Sequence, residues 1–255
     1  MNEIIKNPWT HLRGFTNARL ALGRAGDSMP TEEVLAFTLA HAQARDAVHD
    51  TLDVNRIQHD LALSGFKSIA VQSAAHDRAE YLRRPDLGRK LDHESRVLVE
   101  KVHAEQNQVV REIPSAVFII ADGLSAIAPA RHAVPVLHEI AGKLDGWRIV
   151  PVIIATQARV ALGDEIGELL KAETTVMLIG ERPGLSAPDS LGIYLTYRPR
   201  LGCTDADRNC ISNVRPAGLS YEAAVHKLYH LMVAARRIGQ SGVVLKDESD
   251  EHALP

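Results

Sequence analysis

Between residues 67 and 200 short apolar runs alternate with amphipathic stretches. Ala116-Val117-Phe118-Ile119-Ile120-Ala121 is one such run. The others are Ile149-Val150-Pro151-Val152-Ile153-Ile154, Thr174-Thr175-Val176-Met177-Leu178-Ile179 and Ile193-Tyr194-Leu195-Thr196-Tyr197, with 68–71 as a shorter candidate. Runs that are apolar on both faces and rich in Val and Ile predict strands of a parallel sheet covered by helices on each side. Pro151 suits a strand start or an edge. The intervening stretches 88–107, 130–144, 164–171 and 220–238 read as helices. Strands alternating with helices predict βαβ units with right-handed crossovers. The expected fold class is α/β: a doubly wound, mostly parallel sheet of Rossmann or flavodoxin-like type, preceded by a small helical region.

The N-terminal part reads differently. Pro30-Thr31-Glu32-Glu33 is a helix start, with Thr31 or Ser28 near the cap and acids where the helix dipole favours them. Val34, Leu35, Thr38 and Ala42 then share one face, Arg45 and Asp46 suit a solvated edge, and Ser64-Gly65 interrupts the pattern. Before this helix, Gly14, Gly23 and Gly26 surround Arg13, Arg19 and Arg24. That stretch is either an ordered loop set against a partner or a loop solvated by its arginines. The expected division is a helical region over 1–65, an α/β domain over 66–245 and an acidic, frayed tail over 246–255.

Composition narrows the classes. A length of 255 residues, at about 150 residues per domain, corresponds to one large domain with a small attachment. Hydrophobic residues at 45% and charged residues at 24% are ordinary for a globular chain. A net charge of −3 offers no clustered basic face for nucleic acid, and 4% aromatics offer no stacking platform. No apolar run reaches the ~20 residues of a membrane span, and residues 1–10 carry Glu3, Lys6 and Pro8 rather than a signal-peptide core. Two cysteines, Cys203 and Cys210, fit a reducing, cytoplasmic compartment better than a disulfide framework.

In an open α/β sheet ligands bind beyond the carboxyl ends of the strands. Asp122-Gly123-Leu124-Ser125, 155–160, Gly180-Glu181-Arg182-Pro183-Gly184 and Arg198-Pro199-Arg200 are therefore expected to gather at one edge. No G-x-G-x-x-G, P-loop, H-E-x-x-H, C-x-x-C or G-x-S-x-G motif is present, and the 12 histidines are scattered. Cys203 and Cys210 are either a redox pair or small buried hydrophobes. Glu181 is either a solvated turn residue or a carboxylate placed to accept hydrogen bonds from a ligand. Arg83 and Arg84 either clamp a phosphate or carboxylate or flank a helix start capped by Asp86. No catalytic residue and no metal ligand is assigned.

Several uncommon blocks carry a family resemblance. They are Gly23-Arg24-Ala25-Gly26, Tyr81-Leu82-Arg83-Arg84-Pro85-Asp86-Leu87-Gly88-Arg89-Lys90-Leu91 and Ala121-Asp122-Gly123-Leu124-Ser125. They continue through Ile179-Gly180-Glu181-Arg182-Pro183-Gly184-Leu185, Ser190-Leu191, Tyr197-Arg198-Pro199-Arg200 and Asp207-Arg208-Asn209-Cys210-Ile211-Ser212-Asn213. In this order, from about Asn7 to about Gly242, the chain resembles the small (light) subunit of ethanolamine ammonia-lyase.

The resemblance implies a role in converting ethanolamine to acetaldehyde and ammonia with adenosylcobalamin. It implies a hetero-oligomer in which a large subunit carries the substrate pocket and the cofactor lies between the two chains. Val160, Glu181 and Cys210 match the family's cobalamin-contacting positions. The missing D-x-H-x-x-G motif fits a cofactor that keeps its own dimethylbenzimidazole on cobalt, the base-on form. Family members often carry a long N-terminal extension, associated in some organisms with a bacterial microcompartment, whereas Asn7-Pro8-Trp9 comes almost at once here. The cytoplasm is therefore expected, with the microcompartment left open. The rival readings are a flavodoxin-like protein binding FMN or a nucleotide, and a hydrolase built on Ser125 or Cys210.

Overall fold

The computed structural model describes residues 4–5, 7–106 and 113–249. A two-stranded ribbon of β1 (Ile4–Ile5) and β2 (Arg24–Ala25) precedes helices α1 (Thr31–His49) and α2 (Val54–Leu63). The chain continues through β3 (Ser68–Gln72), α3 (Arg78–Arg83), α4 (His93–Gln106), β4 (Ser115–Ala121), α5 (Ile127–Ala141), β5 (Arg148–Ile149) and β6 (Val152–Thr156). It ends with α6 (Leu162–Leu169), β7 (Thr174–Gly180), β8 (Leu191–Tyr197), β9 (Arg208–Val214) and α7 (Tyr221–Ile238).

The α/β class holds, with a sheet that is mixed rather than parallel throughout. Its order is β3-β6-β4-β7-β8-β9, with β5 beside β4. β3, β6, β4 and β7 run parallel, whereas β7–β8 and β8–β9 are antiparallel. Alternate residues of the strands feed two cores. Phe118 and Ile120 pack with Leu137 and Ile140 of α5 and Leu228 and Met232 of α7. Val117 and Ile119 pack with Val99 of α4 and Leu162 and Ile166 of α6. Helices α5 and α6, which follow the neighbouring strands β4 and β6, thus leave to opposite faces. That divergence opens a crevice at the carboxyl ends of these two strands.

The predicted 149–154 strand is split at Val150-Pro151 into β5 and β6, because proline has no N–H to give a ladder. The predicted 88–107 helix is a 3-10 turn over Leu87–Arg89 followed by α4, and Asn107 lies outside the described residues. Residues 208–214, absent from the predicted strands, form edge strand β9. Only Arg208, Ile211 and Val214 of that strand are buried, so no hydrophobic alternation announces it. Because β8 runs antiparallel, Arg198-Pro199-Arg200 turns at the opposite edge, where Arg198 N–H donates to Glu173 O at 2.7 Å.

The expected apolar face of α1 is not a core face. Only Ala47 of this helix is buried, and Val34, Leu35, Phe37 and Leu39 are exposed. Its cap position is Pro30 rather than Thr31 or Ser28, with no side-chain cap bond. Arg13 orders the preceding loop by donating to Leu20 O at 2.8 Å and pairing with Glu33 at 2.6 Å. Residues 246–249 lie on α7, with Lys227 Nζ 3.1 Å from Asp247 and Ser249 buried. Residues 250–255 of the expected tail are outside the described residues. Among the described residues no helix is long and apolar enough to cross a membrane.

Candidate functional site

Asp122, one residue beyond β4, organises the crevice. Its buried carboxylate accepts the Gln157 N–H at 2.8 Å and the Ala158 N–H at 3.0 Å, and Arg78 Nη1 lies at 3.4 Å. Burial pushes its pKa up, against these bonds. Arg78 also donates to Val48 O at 2.7 Å and Gly123 O at 2.8 Å. The loops after β4 and β6 and the last turn of α1 are thus tied to one another. Gly123 and Gly180 press back to back. A Cβ on Gly180 would lie 2.0 Å from Ser125 O, and one on Gly123 would lie 2.2 Å from Gly180 O, both backbone atoms that have no room to yield.

At this edge sits a cavity of about 470 Å³ whose lining includes Tyr81, Arg159, Val160, Glu181, Tyr194 and Ser212. A larger groove of about 1080 Å³ opens at the amino ends of β3 and β6, where Lys67 and Glu105 are the charged lining groups among the described residues. Tyr81 forms one wall. Its hydroxyl donates to Ala158 O at 3.1 Å, burial pushes its pKa up to about 12, and the Arg78 and Arg159 guanidiniums stack 4.8 and 4.6 Å from its ring centroid. Arg159 Nε is buried without a hydrogen-bond partner.

Glu181 follows β7 directly. Its carboxylate accepts from Ser190 Oγ at 2.5 Å, Ser212 Oγ at 2.6 Å and the Asn213 N–H at 3.2 Å. The bulge between β8 and β9 makes this possible. Leu191 pairs with Val214 but Ile193 pairs with Ile211, so β9 carries an extra residue, and Asn213 takes φ +60. That kink turns Ser212 and the Asn213 amide toward Glu181. A Cβ at Gly192 would sit 3.1 Å from Glu181 Cγ and from the Tyr194 ring, so glycine leaves room for both. A carboxylate offers about four acceptor sites, and three donors leave it oriented with capacity for another.

Val160 and Glu181 therefore line one cavity, as their expected common site requires. Cys210 lies outside the lining. It is on β9, in register with Tyr194 of β8 and on the same face of the sheet. Burial pushes both groups above their ordinary pKa values. Helix α7 packs on the other face of β8 and β9, leaving Tyr194, Cys210 and Ser212 on a surface that continues from the cavity. Both cysteines are free. We expect thiol titration of the denatured, rapidly alkylated protein to find two thiols, and Cys210 in the folded chain to alkylate more slowly at neutral pH than an unperturbed thiol. A disulfide, or fast Cys210 labelling, contradicts this environment.

Tyr81, Arg159, Tyr194, Ser190 and Ser212 were not singled out as site residues from the sequence. Ser190 and Ser212 lie inside motif blocks, and only the fold shows that they meet Glu181. Arg83 and Arg84 both make bonds within their own segment, Arg83 Nε donating to Ala79 O at 3.2 Å. Arg84 holds Asp86 at 2.9 and 2.7 Å, and Asp86 caps nothing. The Ser125 hydroxyl is buried and donates to Pro188 O at 2.8 Å, which removes it as a nucleophile.

Comparisons with known proteins agree over nearly the whole chain. Residues 6–246 match the family model described as ethanolamine ammonia-lyase light chain. The chain is 53% identical over 247 residues to the ethanolamine ammonia-lyase small subunit of Azotobacter vinelandii, covering 96% of this chain and 90% of that one. It is 52% identical over 250 residues to the Pseudomonas putida small subunit, covering 97% and 90%. It is 52% identical over 249 residues to that of Ralstonia nicotianae, covering 97% and 91%.

Proposed function

The chain belongs to the ethanolamine ammonia-lyase light-chain family, a subunit of a lyase, and from that premise we propose that it holds adenosylcobalamin against a large catalytic subunit. The observation that carries this reading is the Glu181 carboxylate, fixed by three donors at the mouth of a cavity it shares with Val160. Cobalamin is a large, partly apolar ring edged with primary amides, and the site fits that chemistry. Val160 and Tyr81 offer apolar contact, Glu181 offers an acceptor for amide N–H, and the unpartnered Arg159 Nε marks a donor-rich wall. Cys210 and Tyr194 extend the same surface across β8 and β9. When bound, base-on adenosylcobalamin supplies the radical chemistry. This chain's residues bind it, orient it and exclude water.

The large-subunit reading is supported by exposed apolar side chains grouped in the N-terminal region. Trp9, Phe15, Met29, Leu35 and Leu39 are at least half exposed. Such a concentration marks an interaction surface. The cytoplasm is the proposed compartment, with a bacterial microcompartment as the alternative.

A cobalamin absorbance titration of the chain, with and without co-expressed large subunit, tests the reading. Tight binding only in the complex supports a shared site. Binding of FMN and not cobalamin favours a flavodoxin-like role instead. The purified chain alone is expected to release no ammonia from ethanolamine, because no acid–base constellation lines the cavity. Steady turnover without the large subunit would sink the proposal.

A further inference from the structure

The segment 81–91 forms one side of the cavity and is fixed there along its length. Tyr81 and Arg159 line the cavity, and Gly88 packs against both. A Cβ on Gly88 would sit 2.8 Å from Arg159 Cγ and 3.0 Å from the Tyr81 ring. Gly88 O accepts the Arg159 N–H at 2.8 Å, and Lys90 O accepts the Ala74 N–H at 2.8 Å. The Leu91 N–H donates to the buried Glu165 carboxylate at 2.8 Å. These bonds tie the segment to the turns after β3 and β6 and to the first turn of α6.

The charge of this segment is one-sided. Arg83, Arg84, Arg89 and Lys90 stand against Asp86 alone, a net of +3 in a chain of net −3, and all four cations are exposed. Arg84 is occupied by Asp86, and its hydrogen bonds, with Lys90 adding at longer range, pull the Asp86 pKa down to about 2. Among the described residues Arg83, Arg89, Lys90 and Arg159 form no ion pair. Arg182, also in the lining, directly follows Glu181 and so has a carboxylate beside it in the chain. Uncompensated cations held on a fixed segment at a ligand cavity suit an anionic group.

We propose that Arg83, Arg89, Lys90 and Arg159 form a cationic rim that receives the phosphodiester of cobalamin's nucleotide loop and so fixes which way round the cofactor lies. This rests on the proposed cofactor site. The phosphodiester is the one anionic group on the periphery of cobalamin, whose side-chain amides are neutral. Amide N–H groups suit the Glu181 acceptor, and the phosphate suits the guanidinium and ammonium groups of the 81–91 side.

The test compares adenosylcobalamin with adenosylcobinamide, which keeps the corrin amides and lacks the nucleotide loop. Binding of each to the reconstituted two-subunit complex is followed by absorbance, with sedimentation of the complex in parallel. Arg89→Ala/Lys90→Ala alters two exposed side chains, so folding is expected to be unaffected. It is expected to weaken adenosylcobalamin roughly tenfold, through lost charge-assisted bonds, and adenosylcobinamide by less than about 2-fold. High salt is expected to weaken adenosylcobalamin binding more in the parent than in the double variant. Glu181→Ala, by contrast, is expected to weaken both ligands alike, because both carry the amides. Equal weakening of the two ligands by the double variant, or weakening of neither, overturns the proposal. Failure of the double variant to assemble overturns it too, and makes the rim a contact for an acidic surface of the large subunit. Discrimination by the double variant beside an unaffected Glu181→Ala supports the rim and removes Glu181 from the site.

Discussion

Glu181→Ala is expected to weaken cobalamin binding by the two-subunit complex by roughly tenfold to a hundredfold. That is the loss of a hydrogen bond to a charged acceptor, about 1.5–3 kcal/mol. The structure adds a smaller folding effect. Removing the carboxylate strands the buried Ser190 hydroxyl, whereas Ser212 and the Asn213 amide are exposed and turn to water. About 1–2 kcal/mol of stability should go with it. Glu181→Gln keeps one acceptor oxygen and the size, so both losses shrink. Titration of the reconstituted complex and thermal unfolding separate the two effects. If Glu181→Ala binds like the parent, or if its only defect is a lowered melting temperature, Glu181 serves the β8–β9 bulge and not the cofactor.

Asp122→Ala is expected to be the most destabilising single change at the crevice. It leaves the Gln157 and Ala158 amides without their acceptor and removes the carboxylate facing Arg78, whose side chain is only 11% exposed. Breaking a buried charge pair by deleting one partner costs about 3–5 kcal/mol. For a chain of this size that lowers the melting temperature by roughly 6–20 °C. The loop bearing Arg159 and Val160 loses its tether, so cobalamin affinity should fall too. Asp122→Asn retains one acceptor oxygen and should lie between. A melting temperature within about 2 °C of the parent for Asp122→Ala would show that the loops hold without this carboxylate.

Much of the frame was legible because burial on both faces leaves a compositional trace. The strands β4, β6 and β7 are predominantly apolar stretches, buried on both faces, between amphipathic helices, and each lies within a few residues of its predicted place. The turns after β4, β6 and β7 reach one edge as expected, which puts Val160 and Glu181 together. The antiparallel edge left weaker traces. β9 has one polar face with no helix over it, so Arg-Asn-Cys-Ile-Ser-Asn-Val carries no strand periodicity. The α1 pattern misled for the opposite reason. An apolar stripe specifies a face to be covered, and among the described residues Val34, Leu35, Phe37 and Leu39 stay exposed.

Local sequence therefore determined the α/β class, the central strands, the family blocks and the candidacy of Val160, Glu181 and Cys210, since each is set by side chains close along the chain. Only the tertiary structure decided the direction of β8 and with it which turns share an edge. It alone brought Ser190, Ser212 and Asn213 onto one carboxylate and set Cys210 beside Tyr194. Those contacts join residues far apart in the chain. Their geometry comes from a bulge, a strand reversal and helix packing, none of which has a local signature.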